Sequence, residues 1–458
     1  MSISRTTRPQ TGPFEDRVPL SVQQEFLCMW DKGDEMGPFG PSYHIVDGWR
    51  LHGAVDVEAL RAALDDVVAR HEALRTIIQR EGERCQRIHP PSSPELTVLD
   101  LPGGEASREQ RAEELLNELA AGSSNARRLP LLRAVLGRFD ARDAVLALVA
   151  HHTAVDAWSM QVIMRDLIRC HAARAAGTEP DLPPATQYRE YTRRQRDGGR
   201  RADSASVRQF WRETLRGGHA LALPTDRARS AEPVFSTAWY RFAFGPELAA
   251  ATERTAVALR SSPFMVLLAA FAVLVRHTTG ATDVVIPTFT PGRDQARFHD
   301  AVGSFFNCLP IRVDLRDCRS FLDVVAETRA RALRAYSHEI PLMDVIAEVP
   351  DLMSRTQVDG LASCVFQVIQ TPHTMRSEQV GDVTVSAIRR KTLSQAKGSD
   401  IPDGLLLCLE LDPAGGLIGE LGYSRNLYDL ATVRGLTSRL EALLSRLLGD
   451  PAAPIDGG

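Results

Sequence analysis

Apolar positions along this chain change period several times, and each change marks an element. Val57, Leu60, Leu64, Val67 and Val68 recur at helical spacing behind Asp56, an N-cap residue, and predict an amphipathic helix with a polar outer face. That helix runs into Arg70-His71-Glu72-Ala73-Leu74-Arg75. Short strands are expected at 76–79 and 85–89, joined as a hairpin by Glu81-Gly82-Glu83. The stretch from Gly103 to Ala126 is polar and helical in pattern, whereas Ala144 to Ala150 is an unbroken apolar run of strand length and predicts a buried strand. Asp156 then caps a helix from Ala157 to about Ala173, closed by Gly177.

A linker containing Pro180, Pro183 and Pro184 follows. Beyond it lie Tyr188-Arg189-Glu190-Tyr191 and a basic run of Arg193, Arg194, Arg196, Arg200 and Arg201 around Gly198-Gly199. In the second half Ser262 and Pro263 start a helix that Gly280 ends. Strands are expected at 283–289, 309–315, 364–370, 405–411 and 418–423, with Pro291-Gly292-Arg293 as a loop and a closing helix over 430–448. Strands and helices mix without regular βαβ alternation, so the fold class is α+β, or mixed α/β. At 458 residues the chain exceeds what one core usually holds, and two lobes are expected, 15–185 and 186–449. The polar start, 1–14, reads as disordered and 450–458 as a flexible tail.

Composition narrows the picture by exclusion. A net charge of -4 offers no broad field for nucleic acid. The most apolar stretch, Phe264 to Val275, is shorter than the about 20 residues a bilayer needs, and no apolar leader opens the chain. Seven scattered cysteines with no CxxC pair argue against disulfides and zinc, so no metal is expected. Together these read as a soluble cytoplasmic protein.

The chemistry concentrates at His151-His152-Thr153-Ala154-Val155-Asp156-Ala157-Trp158-Ser159, where the apolar strand gives way to the helix. Histidine titrates near neutrality and can both take and return a proton. Adjacent strand residues face opposite sides, so one of the pair can face a cleft, and that one is read as His152. Asp156 either orients the ring or serves as an ordinary helix cap.

This motif resembles the HHxxxDG signature of the condensation domains of nonribosomal peptide synthetases. Other segments agree with that family in order. Ser21-Val22-Gln23-Gln24 resembles its SxxQ segment, and Arg70 to Thr76 its RHExLRT motif; Tyr188 to Tyr191 resembles YxDY. Val302 to Arg312 is similar to its IGxFxNxLxxR block, and His338 to Pro341 and Tyr423 to Tyr428 complete the series. The resemblance spans about residues 18 to 448.

It implies two lobes resembling chloramphenicol acetyltransferase, arranged as a V-shaped pseudo-dimer with a tunnel along their junction. A carrier protein would deliver an acyl or aminoacyl thioester on a phosphopantetheine arm, with no cofactor bound by the chain itself. A small-molecule amine or alcohol would enter opposite, giving an amide or an ester. His152 would be the catalytic histidine, His151 a buried support, and Asp156 the partner of Arg293 in a structural ion pair. Trp158-Ser159 stands in the order of condensing members, opposite to epimerising ones. Ala157 departs from the family's glycine: a methyl there brings strain if the position needs φ > 0 and narrows the tunnel if substrate passes close, but suits a helix start. Asn307 and Gln367 are candidates for the substrate channel, beside the plainer account that each faces solvent or satisfies backbone. Arg70 to Arg75 reads first as a charged helix end. Without adenylation or carrier segments the chain reads as a free-standing enzyme meeting its carrier in trans, with an ester on a polyketide or enediyne-type core as the favoured product. Two alternatives remain: an acyltransferase of the same superfold using acyl-coenzyme A, and a non-catalytic module that recruits carrier proteins.

Overall fold

The computed structural model of the chain describes residues 17–456 apart from 102, 198–203, 231–235, 370–375, 402 and 413–414. The expected disorder before residue 15 lies outside the described residues, as do Arg200 and Arg201.

The first lobe is built on a six-stranded sheet ordered Glu378–Val380, Val383–Ala387, His44–His52, Asp143–His151, Leu132–Asp140, Leu96–Asp100. Asp143–His151 is central and buried at every position, because both faces of the sheet are covered. The helix Arg108–Ala120 packs on the Val145, Ala147 and Val149 face, and the helices Val57–Arg70 and Ala157–Ala175 on the Leu146, Leu148 and Ala150 face. An unbroken apolar run is what such a strand requires. His44–His52 and Leu132–Asp140 flank it and were not foreseen, since neither carries a clean alternation.

The second lobe holds a five-stranded sheet, Ala222–Pro224, Leu361–Val368, Gly404–Leu411, Leu417–Ser424, Thr237–Phe244, and a separate antiparallel pair, Asp283–Thr290 with Asn307–Asp314. Helices Pro246–Ala258, Pro263–Thr279, Phe321–Ser337 and Leu430–Gly449 share its core. Pro263–Thr279 begins at Ser262, whose side chain accepts from Met265 N–H, and ends on Gly280 in the left-handed conformation, as its punctuation predicted. Its apolar run from Phe264 to Val275 is buried throughout, and among the described residues no single helix is long and apolar enough to cross a membrane.

The architecture is the expected mixed α/β one, but chain order and lobe membership diverge at two places. Strands 378–380 and 383–387, assigned by order to the second lobe, complete the first lobe's sheet through the pairing of Trp49 with Ala387. Phe298, Ala301, Val302 and Phe305 likewise enter the first lobe's core. An edge strand left open is a liability, and the crossing segment covers it. The tail at 450–456 is not loose: Ile455 is fully buried, its N–H donates to Arg319 O, and His277 contacts its carbonyl. One isoleucine anchors a short proline- and alanine-rich segment, a contact no local pattern reveals.

Candidate active site

His151 and His152 have different surroundings, the first in the strand and the second in the turn after it. His151 closes the central strand and is fully buried; its Nε2–H donates to Gly40 O at 3.3 Å and its Nδ1 accepts from the Thr153 hydroxyl at 2.8 Å. Burial pushes its pKa down to about 4, so the ring is a neutral strut.

His152 sits in the turn beyond the strand, tied through its N–H to Tyr43 O. Its Nδ1 lies 2.7 Å from Val155 O. A carbonyl only accepts, so Nδ1 carries the hydrogen and Nε2 keeps its lone pair. Nε2 has no partner among the described residues and is not sealed from water. Burial lowers the His152 pKa, outweighing the Val155 carbonyl and the Asp156 charge, which favour protonation. The result is an oriented, neutral, accessible base. Tyr43 stacks on it, ring centres 4.7 Å apart and planes within 16°.

Asp156 is held on both oxygens by fixed donors. Its Oδ1 accepts from Ser159 N–H at 2.7 Å, capping the helix Ala157–Ala175, and its Oδ2 accepts from Phe305 N–H at 3.2 Å. The Arg293 guanidinium binds both oxygens and also donates to Ser159 Oγ at 2.8 Å and Ala301 O at 3.2 Å. Arg293 follows Gly292, whose φ of +61° is left-handed and suits glycine, and its charge lies 4.0 Å from the centre of the Phe305 ring. Ser159 Oγ donates to Gly303 O, and Trp158 Nε1–H to His299 O, both at 2.8 Å. The helix start and the 293–305 loop are thus cross-linked through five residue pairs, close to the turn carrying His152.

Ala157 is the exposed first residue of its helix, and the only described non-glycine residue with positive φ is Arg260. The position therefore imposes no left-handed backbone, and the methyl is accommodated.

Two expectations change. Asn307 is no free channel residue: its amide donates to Glu339 Oε1 at 3.0 Å and Ile340 O at 2.9 Å, and its Oδ1 accepts from Cys308 and Leu342 N–H. Every polar atom is committed to holding strand 307–314 against the 338–342 turn. The Arg70 segment is not a solvated helix end either. Arg70 and His71 both reach Asp166, at 2.8 and 3.0 Å, and Arg165 joins them at 2.9 Å. Burial alone would raise the Asp166 carboxyl, but the His71 hydrogen bond and the two arginine charges outweigh it and hold it well below the usual range, while burial keeps His71 neutral. Long-range pairing of residues about a hundred apart hides such a clasp from sequence.

Gln367 remains on the face of the five-stranded sheet shared by Val365, Leu406 and Cys408, its Nε2 3.0 Å from Cys408 Sγ. Across the junction Asp47 accepts from Gln161 Nε2 at 3.4 Å, and burial raises its carboxyl. Three of the other matched segments, 21–24, 188–191 and 302–312, meet one another. Ser21 and Gln24 form a capping box on the helix Val22–Met29, and Ser21 Oγ bonds the Tyr188 hydroxyl at 2.8 Å, which donates to Ser304 O. A Cβ on Gly303 would stand 2.0 Å from the Tyr188 ring, so only glycine fits. Beside them a small apolar cleft opens between Phe26, Phe306 and Leu342. Among the described residues no cluster of side chains could hold a metal ion.

The model of the condensation domain matches residues 15–457. A probable noncanonical nonribosomal peptide synthetase, CymA of Salinispora arenicola, is 33% identical over 97% of this chain, which spans 6% of that protein's length. The crystal structure of SgcC5 from Streptomyces globisporus, in complex with (R)-(-)-1-(2-naphthyl)-1,2-ethanediol and sucrose, is 47% identical, with a TM-score of 0.91 over 95% of this chain and 100% of that one. The X-domain from teicoplanin biosynthesis is 27% identical, with a TM-score of 0.76 over 99% of both chains. With the acetyltransferase-like fold, the paired histidines and a match over nearly its full length, this chain belongs to the condensation-domain family.

Proposed function

We propose that the chain transfers an acyl or aminoacyl group from a carrier protein's phosphopantetheine thioester to a hydroxyl of a diffusible acceptor, forming an ester. The observation that carries this reading is His152, with Nδ1–H held by Val155 O and Nε2 open. An alcohol is a poor nucleophile while protonated, so ester formation needs a base at that point. Nε2 takes the hydroxyl proton as the oxygen attacks the thioester carbon, and the proton then passes to the departing sulfur. His151 holds the turn, and Asp156 with Arg293 holds the helix start, neither exchanging protons. The SgcC5 complex with an aryl 1,2-diol supports a hydroxyl acceptor of that kind.

The test follows the intact mass of a carrier protein loaded with a panel of acyl and aminoacyl groups, incubated with aryl-diol and amine acceptors. Loss of the acyl group with appearance of an ester, reduced about 100- to 10,000-fold in His152→Ala, is expected. The acidic limb of the parent's pH–rate profile should fall below about 6.5, because burial depresses the His152 pKa. Equal rates with coenzyme A thioesters would move the donor assignment to acyl-coenzyme A.

The likeness to the X-domain favours a second reading, a non-catalytic recruiting module. Persistent acyl-carrier across the panel, with carrier binding indifferent to His152→Ala, would establish it and sink the catalytic one.

A further inference from the structure

Tyr43 is fixed to His152 from two directions. Its carbonyl accepts the His152 N–H at 3.0 Å, and its ring stacks on the imidazole at 4.7 Å. A second contact, edge-on to His151 at 6.2 Å, closes the other side. The ring therefore cannot move without moving the base. Yet its hydroxyl has no hydrogen-bond partner among the described residues, and it is not sealed from water. A water-accessible hydroxyl that the fold does not use is free to bond whatever enters beside it. The stack keeps the phenol beside the imidazole, and its hydroxyl is a donor the fold leaves unused next to His152. Burial raises the phenol well above its ordinary range, so it stays a donor at any working pH.

We propose that the Tyr43 hydroxyl donates a hydrogen bond to the thioester carbonyl oxygen as it becomes an oxyanion, making Tyr43 a second catalytic residue beside His152. The inference rests on the acyl-transfer reading above. In the step, the acceptor oxygen forms a bond to the carbonyl carbon, its proton moves to His152 Nε2, and the carbonyl π electrons move onto oxygen. That oxyanion accepts the Tyr43 hydrogen bond, with no proton transferred. As the carbonyl re-forms, the carbon–sulfur bond breaks and the His152 proton goes to sulfur. No other described side chain is placed against His152 by a stack or hydrogen bond with an unused donor; Asp156 and Arg293 are committed to each other, to Ser159 and to the 301–305 loop. A fixed donor of this kind acts most strongly where charge develops, and removing one lowers turnover by about 100- to 1,000-fold.

Tyr43→Phe keeps the ring, the stack and the backbone bond while deleting the donor. With acyl-carrier and aryl diol, the variant should lose about 100-fold in kcat, leave both KM values within about threefold, and melt with the parent. In the His152→Ala background the same change should have far less effect, because the two groups act in one step. A second arm does not depend on turnover. A pantetheine-linked phosphonate, tetrahedral and anionic like the intermediate, should bind Tyr43→Phe at least tenfold more weakly than the parent, and a planar amide analogue should bind both alike. Unchanged kcat, or equal loss for phosphonate and amide, overturns the proposal. A parent that turns over nothing but still separates the two analogues through Tyr43 refutes the ester-forming reading alone.

Discussion

Replacing Arg293 by alanine tests whether the lobes are joined at the helix start that follows the His152 turn. The guanidinium is buried, with four hydrogen bonds on its two terminal nitrogens and the Phe305 and Trp158 rings at 4.0 and 5.2 Å. Its removal leaves the Asp156 carboxylate, itself 8% exposed, with only the Ser159 and Phe305 N–H groups. Breaking one side of a buried pair destabilises by about 3–5 kcal/mol; the two backbone donors and water entering the hollow moderate this, and about 3 kcal/mol is expected. Asp156→Asn leaves the arginine charge uncompensated and should fall by a similar amount. The double variant Asp156→Asn/Arg293→Ala removes both charges, and its loss should be about 2 kcal/mol smaller than the sum. Urea unfolding followed by tryptophan fluorescence suits the measurement, because Trp158 lies against Arg293. Acyl transfer should drop at least tenfold in each single variant, since the His152 turn is anchored there. Strictly additive losses, or an Arg293→Ala protein within about 1 kcal/mol of the parent, would refute the cross-link.

Three further outcomes follow from the same structure. His151 is neutral when folded, with its pKa near 4, and ordinary at about 6.5 when unfolded, so the unfolded chain binds more protons between those values. Its contribution is complete above pH 6.5 and shrinks on acidification, by about 2 kcal/mol between pH 7 and 5; His151→Asn should flatten that part of the urea-midpoint profile, and an unchanged slope would place the titration elsewhere. Ala157→Gly, at an exposed first helical position, should cost no more than about 1 kcal/mol and leave turnover within twofold, whereas a tenfold gain in rate would show the methyl obstructing substrate. Ile455→Ala should lower stability by about 2–4 kcal/mol in thermal or urea unfolding, and no change would mean that the tail is not docked.

Local signals determined a good part of this protein. Caps and breakers set Pro263–Thr279 between Ser262 and Gly280, Asp56 and Asp156 start the helices expected of them, and the apolar run at 144–150 became the central strand. The paired histidines were legible as residues at a strand end, but His152 lies in the turn beyond the strand, so alternation along the strand did not set where its ring points. What the tertiary structure decided is everything that depends on register or on distant partners. It placed Tyr43 on His152 through a strand whose mixed pattern gave no warning, and it drew strands 378–387 across to the first lobe's open edge. It buried the Arg70–His71–Asp166 clasp, used up Asn307 in holding a turn, and docked Ile455. Period and punctuation are properties of a few consecutive residues, so they can be read without knowing what packs on them. Pairing across a hundred residues is chosen only when competing cores, edges and buried charges are satisfied together.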